Sequence, residues 1–275
     1  MAARLLGAAG AAMWSDWQLS SGDVRVIGID GIPEVPVGAD IAALIGDAIA
    51  ASGEGLLPGD IVVVTHKIVS KAEGQVIDLR EIEPSALAVQ IGTRWDKDPR
   101  KTEVVLREAK RIVRMHNGLI IAETEHGFVC ANAGVDASNV SLDHVVLLPR
   151  DPDASAAALR EALVQRFGFG PDDALGLIIS DSFGRPWRFG IVNVAIGVSG
   201  MSPLADYRGL EDSGGYELSA SILAVADELA AAAELVMHKL AARPVAIIRG
   251  YEPPLEAAPG TGRDLIMGPE RDLFR

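Results

Sequence analysis

The chain has 275 residues, 49% of them hydrophobic, which is enough to bury one large core. Its formal net charge is -13, so no overall positive field attracts nucleic-acid backbones or anionic membranes. Cys130 is the single cysteine, which excludes an intrachain disulfide framework and favours a cytoplasmic protein. We therefore expect no nucleic-acid or membrane partner, and an anionic ligand would need a local cationic site.

Residues 1–22 are predicted to form a flexible N-terminal extension. The apolar stretch from Leu5 to Trp14 is too short to span a bilayer, and only Arg4 precedes it as a basic residue. A signal peptide is the less favoured alternative, because this stretch lacks a strong basic flank. Residues 23–275 are predicted to form one domain, since no repeat and no long linker divides them.

The first predicted elements alternate between strand and helix. A strand is predicted from Val24 to Ile29, and a helix from Ile41 to Ala51 that Gly53 ends. The β-branched run Ile61–Val64 follows a turn and is typical of a buried strand.

The middle of the chain predicts a helix followed by a strand pair. Residues Thr102–Arg114 repeat apolar positions at helical spacing with charges between them, which indicates one amphipathic helix. Leu119–Thr124 and Gly127–Ala131 are predicted to be two strands around a turn.

The second half again mixes both kinds of element. Asp153 is predicted to cap a helix over Ala154–Phe167, and Leu175–Ile179 to form a buried strand. The alanine-rich segment Ser219–Leu240 predicts the longest helix, and Val245–Ile248 a further strand. Because strands and helices alternate imperfectly, the sequence predicts a mixed α/β (α+β) fold rather than a purely parallel doubly wound sheet.

Two apolar strands run into acidic, glycine-containing loops, residues 132–139 and 180–185. Asp136 and Asp181 lie in these loops, where ligands of α/β sheets usually bind. The two carboxylates could share a Mg²⁺ ion, which prefers oxygen ligands, and Ser182 could add a hydroxyl. Either aspartate could instead merely close a turn through hydrogen bonds to the backbone.

Several cations lie close to these acids in sequence. Arg185 and Arg188 share one short predicted loop and could bind phosphate or carboxylate oxygens, or form salt bridges. Lys67 and Lys71 would lie on one side of a continued strand, where they could contact phosphates or be solvated surface residues. His66 could donate to a phosphate or base, or be a half-buried histidine.

Common nucleotide and hydrolase motifs are missing from the sequence. It contains no G-x-x-x-x-G-K-[ST] phosphate loop, no G-x-G-x-x-G fingerprint, no H-E-x-x-H and no G-x-S-x-G. Cys130 lies in an apolar run and is expected to be a core side chain rather than a catalytic thiolate. A nucleotide would therefore bind without a common cradle.

Ordered motifs along the chain resemble those of the coenzyme F420:L-glutamate ligases. The resemblance covers about residues 24–275 and implies that residues 23–275 are the catalytic domain. The motifs lie at Gly31–Glu34, Gly59–Thr65, Val69–Gly74, Asn132–Val140, Leu148–Ser155, Ile179–Arg188, Ala195–Gly200, Ala226–Glu228 and Asp272–Arg275. The resemblance also implies mixed sheets, two interlocked subdomains, no Rossmann or P-loop cradle, and an intertwined homodimer.

The activity that the resemblance implies is GTP-dependent ligation. L-glutamate would join the deazaflavin precursor of coenzyme F420, some members adding further γ-linked glutamates. The implied cofactors are Mg²⁺ or Mn²⁺ and, in some members, K⁺. An acyl phosphate made with the γ-phosphoryl group would be the intermediate that the glutamate amine attacks.

Site residues carried over from the resemblance fall into three sets. The nucleotide contacts would be Ile32, Pro33, Glu34, Val35, His66, Lys71 and Asn139. The metal ligands would be Asp136, Asp181 and Ser182. Catalysis is expected from Asp136, Asp181, Lys71 and Arg185.

The sequence departs from the family pattern at two places, and two other functions fit the same residues. The position of His66 often holds a small hydroxyl residue in relatives, and Ser213–Leu218 differs from their pattern on the acceptor side. Two aspartates with nearby cations would equally serve a metal-dependent phosphohydrolase or phosphotransferase. A non-enzymatic GTP-binding module is the third alternative.

Overall fold

The structure is a computed structural model that describes residues 22–253, 257–268 and 270–272. Residues 1–21 lie outside this range, so the flexibility of the extension stays a prediction. The helices are α1 (Ile41–Ser52), α2 (His66–Ala72), α3 (Ala86–Trp95), α4 (Pro99–Glu108), α5 (Pro152–Phe167) and α6 (Val225–Met237). No helix in the described part of the chain is both long and apolar enough to cross a membrane.

Twelve strands are found among the described residues. They are β1 (Arg25–Ile29), β2 (Ile61–Thr65), β3 (Val76–Asp78), β4 (Ala109–His116), β5 (Leu119–Thr124), β6 (Val129–Ala131), β7 (His144–Val146), β8 (Gly176–Arg185), β9 (Arg188–Ser199), β10 (Ala205–Asp206), β11 (Ile222–Leu223) and β12 (Val245–Arg249). Short 3-10 helices cover Leu79–Glu81, Asn132–Gly134 and Gly262–Leu265.

Five of these strands form the main sheet, in the order β1-β12-β2-β8-β9. Strands β2 and β8 run parallel, whereas the other neighbours run antiparallel. The smaller sheets are β4-β5-β6, β3-β7 and β10-β11. The predicted mixed α/β fold is therefore confirmed.

Helices pack on both faces of the main sheet. Val62 and Val64 of β2 belong to one core with side chains of α1 and α5, whereas Ile61 and Val63 belong to a second core with α6. Successive strand residues point to opposite faces, so a strand covered on both sides must be apolar throughout. This explains the run of four β-branched residues in β2.

A third core lies under the smaller sheets. It contains Leu79, Val104, Ile120 and Val145, so it joins α4 to the β4-β5-β6 sheet and to the β3-β7 pair. Ala133 of the predicted acidic loop is buried in this core. Packing of Ala133 in this core therefore anchors the loop that holds Asp136.

The first elements agree with their predictions. Helix α1 begins after Asp40, whose side chain accepts a hydrogen bond from the Ala43 N–H. Gly53 ends the helix at a φ of 75°, a conformation that glycine adopts without steric cost. The predicted strands around the turn at 125–127 are β5 and β6.

The single helix predicted over Thr102–Arg114 is wrong. Helix α4 ends at Glu108, and the chain continues as β4, which pairs antiparallel with β5. Arg111 lies opposite Glu123 in this pairing and its guanidinium contacts that carboxylate at 2.8 Å. Pairing with a neighbouring strand thus outweighs the helical spacing of the apolar residues, a tertiary effect that the local pattern does not contain.

The predicted cap of the next helix was two residues too late. Asp151, not Asp153, accepts the hydrogen bond from the Ala154 N–H, and Pro152 occupies the first turn of α5. Asp153 instead accepts hydrogen bonds from the backbone N–H groups of Val198 and Gly262. It ties the helix to β9 and to the segment near the C-terminus.

The helix predicted over Ser219–Leu240 is shorter and is not the longest. Helix α6 has 13 residues and α5 has 16. Ile222 and Leu223 pair with β10 as a strand, so the helix begins at Val225. It ends at Met237 because His238 has a φ of 51°, well before the predicted stop at Pro244.

The predicted loops over 180–185 and 184–190 form a β-hairpin instead. Strand β8 continues to Arg185 and β9 returns from Arg188, with Trp187 at a φ of 56° in the turn. Strand β2 pairs with β8 only as far as Ser180. Residues 181–194 therefore form a two-stranded extension of the main sheet, which we call the arm.

Candidate active site

A cleft of about 350 Å³ opens where β2 ends and the arm begins. Ligands of α/β sheets usually bind at the carboxyl ends of parallel strands, and β2 and β8 are the parallel pair of this sheet. The residues predicted from the resemblance that line the cleft are Ile32, Pro33, Glu34, Val35, Lys71, Asn139, Asp181 and Ser182. Four chain segments that are distant in sequence thus meet at one site.

Three other predicted residues do not line this cleft. Asp136 lies behind Lys67, which does line it. His66 is fully buried at 0% exposure. Arg185 lies at the far end of the arm strand β8, and its Nε is buried without a hydrogen-bond partner among the described residues.

The two lysines of the cleft lie on helix α2. They were predicted to share one side if strand β2 continued through them, but β2 ends at Thr65 and α2 begins at His66. Lys67 and Lys71 are one helical turn apart, so they share a face for a different reason from the one predicted. Both are buried at less than 9% exposure, which is unusual for lysine and requires partners.

Each of these lysines is paired with a carboxylate from another segment. Lys67 Nζ lies 2.7 Å from Asp136 Oδ2 and also donates to the Ser138 hydroxyl. Lys71 Nζ lies 2.5 Å from Glu34 Oε1. The ammonium groups thus tie α2 to residues 136–138 on one side and to the 32–35 segment on the other.

Asp136 also closes a turn, as one of the two alternatives predicted. Its Oδ1 accepts from the Ser138 N–H at 2.7 Å, and its Oδ2 from the Ser138 hydroxyl at 2.9 Å. Burial raises the pKa of Asp136, but the Lys67 ammonium and the Ser138 donors outweigh it and lower the pKa to about 2. The carboxylate is therefore ionised at neutral pH.

Asp181 stands at the base of the arm. Its Oδ1 accepts from the Ser182 N–H at 2.7 Å and lies 3.3 Å from the buried Nε2 of His66. The Ser182 hydroxyl donates to Asn193 Oδ1 at 2.7 Å, and the Asn193 amide donates to Glu234 Oε2 at 3.1 Å. A chain of hydrogen-bonded residues thus runs along the wall of the cleft.

Sequence reasoning missed several residues of this wall. Asn193 lies opposite Ser182 only through the arm's register, which no local pattern gives. Glu234 does have a signal in the sequence, because it is the one charged residue in the otherwise apolar stretch from Leu229 to Met237. Arg243 also lines the cleft, and its guanidinium is paired with Asp30.

The donor atoms of this wall suit a hard cation held together with a ligand. Mg²⁺ usually takes one or two protein carboxylates and completes its shell with substrate phosphates and water. Asp181 and Ser182 supply oxygens of that kind at the cleft. No group of three or more His, Cys, Asp or Glu side chains in the described part of the chain is arranged to hold a metal alone. Asp181 and Ser182 alone would fill only part of such a shell.

Comparison with known proteins identifies the family. Residues 30–250 match the model of the family described as F420-0:Gamma-glutamyl ligase. The chain is 47% identical to the coenzyme F420:L-glutamate ligase of Methanothermobacter thermautotrophicus, over 92% of this chain and 99% of the relative. It is 46% identical to the ligase of the same name from Methanopyrus kandleri, over 92% of this chain and all of the relative. The Methanocaldococcus jannaschii ligase is 46% identical over 79% of this chain and 85% of its own length. This chain belongs to the F420-0:gamma-glutamyl ligase family.

Proposed function

We propose that this protein is a GTP-dependent ligase that joins L-glutamate to the deazaflavin precursor of coenzyme F420. Family membership over residues 30–250 supports the glutamate ligation. The observation that supports a nucleoside triphosphate as co-substrate is the cleft itself, where Lys67 and Lys71 line the same cavity as Asp181 and Ser182. Such a ligand requires cations that bind its phosphate oxygens and protein oxygens that bind its divalent cation.

Direct attack of an amine on the substrate carboxylate would have to expel oxide, which is a poor leaving group. The carboxylate must therefore be activated first. In the proposed first step, the substrate carboxylate attacks the γ-phosphorus of GTP, and GDP leaves. In the second step, the glutamate amine attacks the acyl carbon of the acyl phosphate, inorganic phosphate leaves with the bonding electrons, and the amine proton is released. In this scheme further rounds on the product would build a γ-linked glutamate tail.

The chain's residues have distinct proposed roles in this scheme. Lys67 and Lys71 hold phosphate oxygens, which stabilises the charge that develops during transfer. Asp181 and Ser182 would hold Mg²⁺ or Mn²⁺, and Asp136, which lies behind Lys67, would be a further ligand. The metal would neutralise part of the triphosphate charge. The proposal also includes a binding site for K⁺.

The nucleotide base is proposed to bind against the segment Ile32–Val35, with Asn139 as a polar contact across the cleft. Apolar side chains suit the faces of a purine, and a few polar groups fix its orientation. Ile32 and Val35 pack against the core beneath the main sheet, so this wall is rigid. Arg185 lies outside the cleft of its own chain. It could act in catalysis only if a second copy of the chain brought it close to a substrate.

A homodimer is the proposed quaternary state, and the arm is its proposed contact. An isolated two-stranded hairpin is at best marginally stable in water. At the arm's tip Phe189 is fully exposed and Ile191 is 60% exposed. Burial of these side chains against a second copy of the chain would stabilise the arm and bring Arg185 near the partner.

The decisive experiment is mass spectrometry of one reaction mixture. Purified protein, the deazaflavin precursor, GTP, Mn²⁺ and L-glutamate should give a product heavier by one glutamyl residue, with one GDP formed per amide. GTP hydrolysis without any amide would favour a metal-dependent phosphohydrolase or phosphotransferase. Binding of GTP with neither product would favour a non-enzymatic module, and either result would overturn the proposal.

A further inference from the structure

We infer that His66 is a positioning residue that fixes the carboxylate of Asp181 from beneath the cleft. The inference rests on the proposed role of Asp181 as a metal ligand. It reassigns His66, which the sequence predicted to contact the nucleotide. At 0% exposure the imidazole is sealed from the cleft, so it cannot touch a ligand there without a change in structure.

Both ring nitrogens of His66 face polar atoms. Nδ1 lies 3.2 Å from the hydroxyl of Ser70, one turn further along α2. Nε2 lies 3.3 Å from Asp181 Oδ1. This second contact is not aligned as a hydrogen bond, so Nε2 has no hydrogen-bond partner among the described residues. A fully buried polar atom of this kind is rare and costly, and here it is directed at the one wall where a ligand is expected.

The chemistry of the partners fixes the direction of the contact. A carboxylate that binds a cation can only accept hydrogen bonds, so a hydrogen bond between the two residues needs the proton on Nε2. A serine hydroxyl can donate or accept, so Ser70 can satisfy Nδ1 in either protonation state of the ring. His66 and Ser70 are both 0% exposed, so the imidazole has no contact with water to which it could turn instead.

The contacts of Asp181 are divided between its two oxygens. Oδ1 faces His66 Nε2 and accepts from the Ser182 N–H. Oδ2 has no hydrogen-bond partner within residues 22–253, 257–268 and 270–272. The Ser182 N–H and the His66 ring thus face one oxygen, which leaves the other for a cation. Partners of this kind orient metal ligands, and their loss typically weakens metal binding about 10- to 100-fold.

Two amide variants separate positioning from packing. His66→Gln places an amide N–H about where Nε2 lies and can reach Asp181. His66→Asn keeps an amide near Ser70 but is too short to reach the carboxylate. Both replace a buried ring with a polar group of the same chemistry, so similar losses of thermal stability are expected.

The measurement is Mn²⁺ binding, followed by electron paramagnetic resonance with saturating GDP present and GDP alone as the blank. His66→Asn should raise the Mn²⁺ dissociation constant about tenfold or more, and His66→Gln should stay close to the unsubstituted protein. Turnover of His66→Asn should fall at limiting Mn²⁺ and recover at saturating Mn²⁺. If His66→Asn does not fold, His66→Ser tests the same loss, because its short hydroxyl also leaves Asp181 unsupported.

Equal Mn²⁺ dissociation constants for the two amide variants would overturn the inference, as would a protein that binds no Mn²⁺. The outcome is separable from the proposed function. A contrast in Mn²⁺ binding without any amide product would support positioning and overturn the ligase. Amide product from a protein whose His66 variants bind Mn²⁺ alike would support the ligase and overturn positioning.

Discussion

At the scale of single residues, Asp181 is the most direct test of the proposed site. Asp181→Asn keeps nearly the same volume, and its amide oxygen can still accept from the Ser182 N–H, so the fold should survive. Loss of the charge should lower the initial rate of amide formation about 100-fold, and higher Mn²⁺ should restore part of it.

The measurement is the initial rate across a Mn²⁺ titration, with circular dichroism to confirm the fold. Asp47→Asn is the matched control, because Asp47 is an exposed acid of α1 away from the cleft. A rate for Asp181→Asn near that of the control at low Mn²⁺ would remove Asp181 from the metal site.

The low pKa of Asp136 predicts how the free energy of unfolding depends on pH. Its pKa falls from 3.8 to about 2 on folding, so its ionised form stabilises the folded state above about pH 4. That contribution should disappear as the pH falls towards 2, because both states then bind the proton. The free energy of unfolding should therefore differ between the unsubstituted protein and Asp136→Asn at pH 6, and the difference should shrink by pH 2.5.

Urea denaturation at a series of pH values measures this difference directly. Other acids titrate in both proteins, so their effects cancel in the comparison. A difference that stays constant from pH 6 to pH 2.5 would mean that the Lys67 pair does not hold the pKa of Asp136 down.

At the scale of elements, we predict that formation of the homodimer depends on the arm. Phe189→Ser should leave the fold intact, because the side chain is fully exposed in one chain, but it should weaken the proposed dimer. Leu142→Ser is the control, since Leu142 is also fully exposed but lies outside the arm. Analytical ultracentrifugation should show monomer for the first variant at concentrations where the control is a dimer, and equal masses would exclude the arm from the interface.

The elements also show where sequence patterns suffice. Strand β2 and helix α1 were predicted because burial on two faces, helical spacing of apolar residues and a terminal glycine leave local marks in the sequence. Strand β4 and the arm were not, because their conformation depends on partners that are distant in sequence. The same division holds at the site: Asp181 follows an apolar strand and was found, whereas Asn193 is placed only by the hairpin's register.

His66 illustrates a different limit. The resemblance gave its position in the chain but not its burial, which depends on how helix α2 packs in the fold. The structure places it one residue beyond β2 and under the cleft.

At the scale of the whole molecule, ligand binding should stabilise the fold. A ligand at about 100 times its dissociation constant adds about 2.7 kcal/mol if it binds only the native state. GTP or GDP with Mn²⁺ should therefore raise the melting temperature, and ATP with Mn²⁺ should do so less. Thermal shift assays at matched concentrations test this, and equal shifts for ATP and GTP would argue against guanine selectivity at Ile32–Val35.

The two lysine–carboxylate pairs have a consequence for how a nucleotide enters. Lys67 with Asp136 and Lys71 with Glu34 sum to zero charge, so these two pairs add no net positive charge to the cleft. Entry is then an exchange of partners: phosphates replace carboxylates on the lysines, and the displaced acids need a new counterion. A nucleotide that brings its own divalent cation balances both halves of the exchange at once. The nucleotide alone leaves two carboxylates uncompensated, so it should bind more weakly than its metal complex.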